Sequence, residues 1–156
     1  MDIHLIAIGN RMPAWIRQGY DEYARRLTGE CRLQLHEVPA VTRGRHPAIG
    51  AIREEEGRRL LGKVPQGAWL VALDEQGKVW DSQGLARQIQ QWRENTRAVA
   101  LLVGGPDGLD AAVREEARQL WSLSPLTLPH PLVRVILAEQ LYRAWSILRH
   151  HPYHRA

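Results

Sequence analysis

The chain has 156 residues, with 21 Lys and Arg against 17 Asp and Glu and a pI near 9.7. That length suits one domain, residues 1–156, able to bury its own core, and the mild basic excess suits an acidic partner without demonstrating one. A single cysteine, Cys31, excludes an internal disulfide and any cysteine-built metal site, and no run approaches the roughly 20 apolar residues of a membrane span. The opening Met1 to Gly9 lacks the basic, long apolar leader of a secreted protein, so a soluble, cytoplasmic protein without a metal is expected.

In chain order, Ile3 to Ile8 reads as a buried strand ended by Gly9. Pro13 opens a helix to about Leu27, with Trp15, Ile16, Gly19, Tyr20, Tyr23 and Leu27 at helical spacing. Leu33 to Val38 is a second strand, followed by a polar loop from Pro39 to Pro47. That loop carries Arg43, Gly44, Arg45 and His46, which suit either a solvated connection or contact with RNA backbone. A helix from about Ala48 to Leu61 precedes a third strand, Ala68 to Leu73, and then a loop, Asp74 to Trp80. Asp81 or Ser82 caps the next helix, which runs to about Glu94. Ala98 to Val103 is a fourth strand, Asp110 caps a helix through Leu120, and Trp121 to Leu128 reads as a fifth strand interrupted by Pro125. Such alternation predicts an α/β fold, a mostly parallel sheet with helices on both faces.

The last helix, from Pro131 or Leu132 to Leu148, is apolar around most of its circumference and needs cover from more than one side, its own sheet and a second protomer. Glu139 and Arg143 are spaced to pair along it, whereas Arg134 has no partner in register and is a candidate for gripping a carboxylate or phosphate, or for a structural ion pair. Before the helix, Pro129 and Pro131 restrict His130. Behind it, residues 150–156 concentrate three histidines, a tyrosine and an arginine, a set suited to unpaired bases and phosphate.

In open α/β sheets ligands bind beyond the carboxyl ends of the strands. Leu73-Asp74-Glu75, Val103 to Gly108, and Leu123 to Leu128 with the Pro-His-Pro break are the strand ends with suitable character. Gly104-Gly105 serves either close ligand approach or a tight turn. There is no G-x-G-x-x-G, Walker lysine, H-E-x-x-H or G-x-S-x-G, and Cys31 has no neighbouring histidine. The chemistry must therefore depend on positioning.

Leu73-Asp74, Gly104-Gly105-Pro106-Asp107-Gly108, Leu123 to Leu128, the run from Leu128 to Val135, Glu139 to Ala144 and the terminal Pro152-Tyr153-His154-Arg155 together resemble the ribosomal RNA large-subunit methyltransferase H family of the SPOUT superfamily. The resemblance runs end to end. It implies S-adenosylmethionine as cofactor and methylation of N3 of a pseudouridine in the helix 69 loop of 23S rRNA, on the assembled ribosome, by a homodimer. It also implies a C-terminal trefoil knot, which nothing in composition or spacing indicates. Carried over, the cofactor pocket is Leu73, Gly104, Leu123, Ser124, Pro125, Leu126, Thr127 and Leu128. His130 or His154 is the expected proton acceptor, Arg134 and Arg155 hold substrate charge, and Tyr153 stacks on or orients the base. The competing readings are a non-catalytic ribosome- or RNA-binding protein of the same fold and a SPOUT methyltransferase acting on tRNA.

Overall fold

The computed structural model describes residues 1–155; Ala156, the last residue of the expected domain, lies outside them. The apolar runs form β1 (Asp2–Ile8), β2 (Arg32–Val38), β3 (Trp69–Val79), β4 (Ala98–Val103) and β5 (Gln119–Ser122). They alternate with α1 (Ala14–Ala24), α2 (Ile49–Leu61), α3 (Ser82–Asn95), α4 (Ala111–Glu116) and α5 (His130–Leu148), and a short 3-10 helix, Pro152–Arg155, follows. All strand pairs are parallel, in the order β2-β1-β4-β3-β5.

A strand buried on both faces needs apolar residues at every position, and the alternation of its side chains divides them between two layers. Ile3, Leu5, Val71, Val99 and Leu101 pack with Leu85, Ile89 and Trp92 of α3 and Leu137, Leu141 and Trp145 of α5. Ile6, Ile8, Leu70, Ala72 and Leu102 face the other way, toward Leu60 of α2 and Val113 of α4. The expected double-sided cover is thus present. α5 lies between α1 and α3, so part of its lateral cover comes from the same chain. Gly19 permits the approach of α1, since a β-carbon there would sit 3.3 Å from both methyls of Val135.

Some polar groups that enter the core are paired, whereas Tyr20 OH and Trp121 Nε1 are buried without a partner. Gln119 Oε1 accepts from the indole N–H groups of Trp69 at 2.8 Å and Trp92 at 3.0 Å, and its amide donates to Gln88 Oε1 at 3.0 Å. Cys31 is fully buried, and desolvation pushes its thiol up to about 11, so it is an inert core residue.

Three boundaries differ from the sequence reading. The segment expected to be a loop after Leu73 continues as strand to Val79, with a bulge between Leu73 and Lys78 where it pairs with β5. The helix expected to reach Leu120 ends at Glu116, because Arg118 N–H turns to the sheet and donates to Leu70 O at 2.8 Å. The fifth strand is Gln119–Ser122, and Leu123 to Leu128 is a loop beyond it; Leu126 N–H donates to Ser124 Oγ at 2.9 Å rather than to a ladder. The bulge allows close contact only because residue 77 is glycine. A β-carbon there would stand 2.6 Å from the backbone of Leu120 and Trp121. Gly77→Ala is expected to cost about 1–3 kcal/mol of unfolding free energy, read from urea denaturation, because the atoms in the way are backbone.

Candidate active site

Parallel pairing places the carboxyl ends of β3, β4 and β5 side by side, and a recess of about 160 Å³ opens over them. β3 supplies Leu73, Asp74 and Glu75, and β4 leads into Val103, Gly104 and Gly105. Trp121 to Ser124, Leu126 and Leu128 close the β5 side, with His130 and Val133 of α5 above. An outer cleft of about 730 Å³ shares Leu73, Asp74, Glu75, Gly105, Leu128 and His130, and adds Arg53, Asp107, Arg114 and Thr127. The carried-over pocket residues Leu73, Gly104, Leu123, Ser124, Leu126, Thr127 and Leu128 all line one or both spaces, whereas Pro125 is exposed and lines neither.

The Gly104 to Gly108 turn needs its glycines for closure. Gly105 and Gly108 form an antiparallel bridge, Gly108 has φ +80°, and a β-carbon on Gly104 would lie 2.8 Å from the Gly108 backbone. The tight-turn reading holds for this motif, and Gly104, Gly105 and Gly108 of the same turn line the recess.

The carboxylates around the cleft differ in their neighbours. Asp74 pairs with Arg114 at 2.9 Å and accepts from Gln76 N–H at 2.8 Å. Asp107 pairs with Arg43, which fastens the basic loop between β2 and α2 to the glycine turn. The same loop is held by Val41 N–H on Glu56 Oε2 at 3.1 Å and by the Arg59 guanidinium on Pro39 O at 2.9 Å. Glu75 has no ion-pair partner among the described residues.

His130 begins α5 against Gly9 at the end of β1, and its Nδ1 is buried without a partner. Burial first, then the nearby Arg134 guanidinium, lowers its pKa below the usual 6.5. It is therefore a neutral imidazole, able to accept a proton. Arg134 itself is 1% exposed, and its two terminal nitrogens are engaged, at 2.6 Å from Glu37 Oε2, 3.2 Å from Ile8 O and 2.6 Å from Gly9 O, while its Nε is buried without a partner. That corrects the expectation that it holds substrate charge: it is buried beneath the site and positions the ends of β1 and β2 against α5.

Tyr153, His154 and Arg155 lie past the other end of α5. The Tyr153 hydroxyl reaches back along α5 to Glu139, nine residues and roughly 14 Å of helix past His130, so even the folded-back tail falls short of His130 within one chain. Tyr153 packs on its own helix, donating its hydroxyl to Glu139 Oε1 at 3.1 Å, with its ring 4.6 Å from that of Tyr142. Burial and the Glu139 charge push its phenol up to about 12, so it stays protonated. Glu139 also takes the expected ion pair with Arg143, at 2.6 Å. Sequence reasoning missed Val133, Leu109 and Arg114. Val133 follows His130 by three residues on a helix and was detectable by that spacing, whereas Leu109 and Arg114 reach the cleft only through tertiary packing.

Among the described residues no group of three or more His, Cys, Asp or Glu is arranged to hold a metal ion, and no helix is long and apolar enough to cross a membrane.

Arg134→Met is expected to cost about 3 kcal/mol in urea unfolding, because it strands the half-buried Glu37, the buried Ile8 carbonyl and the partly buried Gly9 carbonyl. A pH series tests the imidazoles. His36, hydrogen-bonded to His4 at 2.9 Å, is lowered by burial and by the His4 and Lys63 charges, as His130 is by burial and Arg134. Between those lowered values and 6.5 the unfolded chain binds more protons, so stability is complete above 6.5 and is lost as pH falls through that window. The urea midpoint should rise from about pH 5 to about pH 7, and His36→Gln with His130→Gln should flatten that rise.

Comparison with known proteins places this geometry. A family pattern described as Predicted SPOUT methyltransferase matches residues 1–154. The chain is 57% identical over 155 residues to the Ribosomal RNA large subunit methyltransferase H of Thioalkalivibrio sulfidiphilus, covering 99% of each chain. It is 50% identical over 156 residues to the protein of that name from Dichelobacter nodosus, covering 100% of both. A solved structure concerned with 2-OH methylation of C/U34 on tRNA shares the fold at TM-score 0.54 and 15% identity, covering 93% of this chain and 91% of that one. The chain belongs to the SPOUT methyltransferases, in the family of the ribosomal RNA large subunit methyltransferases H.

Proposed function

We propose that this protein is a cytoplasmic, S-adenosylmethionine-dependent enzyme that methylates N3 of a pseudouridine in the helix 69 loop of 23S rRNA, on the assembled ribosome and as a homodimer. The observation that carries the reading is the recess at the β3, β4 and β5 ends, with Asp74 and Glu75 in its lining and no Lys or Arg. Apolar walls, open backbone and the Glu75 carboxylate, which has no ion-pair partner among the described residues, fit a positively charged sulfonium donor, whereas Asp74 is already paired with Arg114. Leu73, Gly104 and the Leu123 to Leu128 loop would hold it, and S-adenosylmethionine supplies an electrophilic methyl group when bound.

The residues of the chain then have orientation and proton transfer to perform. A methyl–nitrogen bond forms as the methyl–sulfur bond breaks, and the N3 proton must leave to an acceptor. His130, neutral and at the junction of recess and cleft, is placed for that task. Tyr153, His154 and Arg155 are too distant within one chain, so their participation requires a second protomer whose tail lies over this cleft. The need for two subunits and the small domain both favour the ribosome over a free RNA fragment as substrate.

Nucleoside analysis of ribosomal and transfer RNA from cells with and without the gene tests the reading: methylpseudouridine should disappear from 23S rRNA alone, and a loss confined to tRNA would replace the substrate. S-adenosylmethionine at 100 times its dissociation constant should add about 2.7 kcal/mol of stability, whereas a non-catalytic relative would show no shift. His130→Gln and His154→Gln separate the two acceptors, the true one lowering methyl transfer by about 10²–10⁴ with cofactor affinity retained. Tyr153→Ala should abolish transfer to the ribosome without altering cofactor binding.

A further inference from the structure

A second recess, of about 470 Å³, lies at the far end of α5, away from the cofactor cleft. Arg26 and Thr28 form one wall, Trp145 the floor, and Arg149, His150 and His151 the other wall. No Asp or Glu lines it. We propose that this recess binds a backbone phosphate of the RNA substrate, with Arg149 as its principal contact. This rests on the reading of the protein as an rRNA methyltransferase.

The charges in the recess are not equivalent. Arg26 is already paired with Glu22 at 2.6 Å, and its guanidinium lies 5.5 Å from the Tyr142 ring and 5.9 Å from that of Tyr153. Arg149 is exposed, has no carboxylate partner among the described residues, and its guanidinium lies 5.7 Å from the centre of the Trp145 ring. Arg149 shares that ring with Arg93, whose guanidinium lies 4.9 Å from its centre, and the contact with the ring leaves the Arg149 N–H fork for a phosphate. His151 Nδ1 accepts from Tyr153 N–H at 3.2 Å, so the neutral ring carries its proton on Nε2 and is a donor. His150 has φ +56°, a left-handed conformation that a side-chain-bearing residue adopts only when held there. His150 N–H on Ile147 O at 3.1 Å and His151 N–H on Ser146 O at 2.8 Å hold it, wrapping the chain around the recess. Tyr153, His154 and Arg155 follow directly, so a phosphate bound here would lie beside the nucleotide those residues meet.

The test uses the full-length protein and purified ribosomes in a salt titration, alongside steady-state methyl transfer. Arg149→Gln should raise the KM for ribosomes about tenfold at low salt with kcat and cofactor affinity unchanged. It should also reduce the slope of log K against log salt by about 0.7–0.9, the loss of one phosphate contact. His150→Gly, which suits the left-handed backbone, should keep the fold and shift KM in the same direction by less. Inorganic phosphate at constant ionic strength should raise the wild-type KM more than that of Arg149→Gln. An unchanged salt slope in Arg149→Gln overturns the assignment, as does a fall in kcat at constant KM or a loss explained by subunit dissociation in sedimentation. These leave the methyltransferase reading standing. Wild-type protein that transfers no methyl group to rRNA removes both.

Discussion

The Arg134 guanidinium holds the working end of this molecule together. It is the largest buried charge on α5 and reaches Glu37 on β2 and the carbonyls of Ile8 and Gly9 at the end of β1, so a helix and two strands close on one side chain. A lysine has one point of charge, whereas a planar fork can serve a carboxylate and two carbonyls at once. The energetic balance depends on those partners, since a buried cation with partners is tolerable and one without them is not, and only the Nε is left without one. Its second effect is electrostatic. One turn before it, His130 feels its own burial and the positive charge and stays neutral, so the residue that sets the geometry also biases the imidazole beside it.

The sheet contributes mostly backbone. Strand ends, a glycine turn and a loop of small and apolar residues surround the recess, and the single thiol of the chain is sealed in the core, far up its titration range. This distribution matches a reaction in which no covalent bond to the enzyme is required. Transfer of an already activated group needs alignment and exclusion of water, both of which a rigid parallel edge provides. The basic loop fastened by Arg43 to Asp107 extends that edge toward solvent, tying the loop between β2 and α2 to the glycine turn.

Much of this was legible in the sequence, for identifiable reasons. Two-sided burial makes β1, β4 and the first half of β3 continuous apolar runs; β1 and β4 were placed to within a residue, and β3 only at its start. The strand ends that line the recess followed from the rule for open sheets, with Leu73, Gly104 and Leu128 among them. What failed depended on tertiary partners. β3 extends through Glu75, Gln76 and Gly77, residues with poor strand propensity, because β5 pairs with it after a bulge. Arg134 looked available because its partners are 97 and 125 to 126 residues away in sequence, beyond any local spacing. The Tyr153 hydroxyl is engaged by Glu139, 14 residues away, because the chain folds back on α5 after Leu148.

α5 carries a constraint of a different kind. It is a rod with a chemical group at each end, His130 at its start and the terminal segment past Leu148. Each residue of a helix turns the chain by about 100° and advances it by about 1.5 Å. Inserting or deleting a single residue between those ends would swing the terminus to another azimuth while leaving every individual contact type available. Substitutions along this rod can be absorbed by repacking, but its residue count cannot drift, so the helix acts as a ruler and a protractor together.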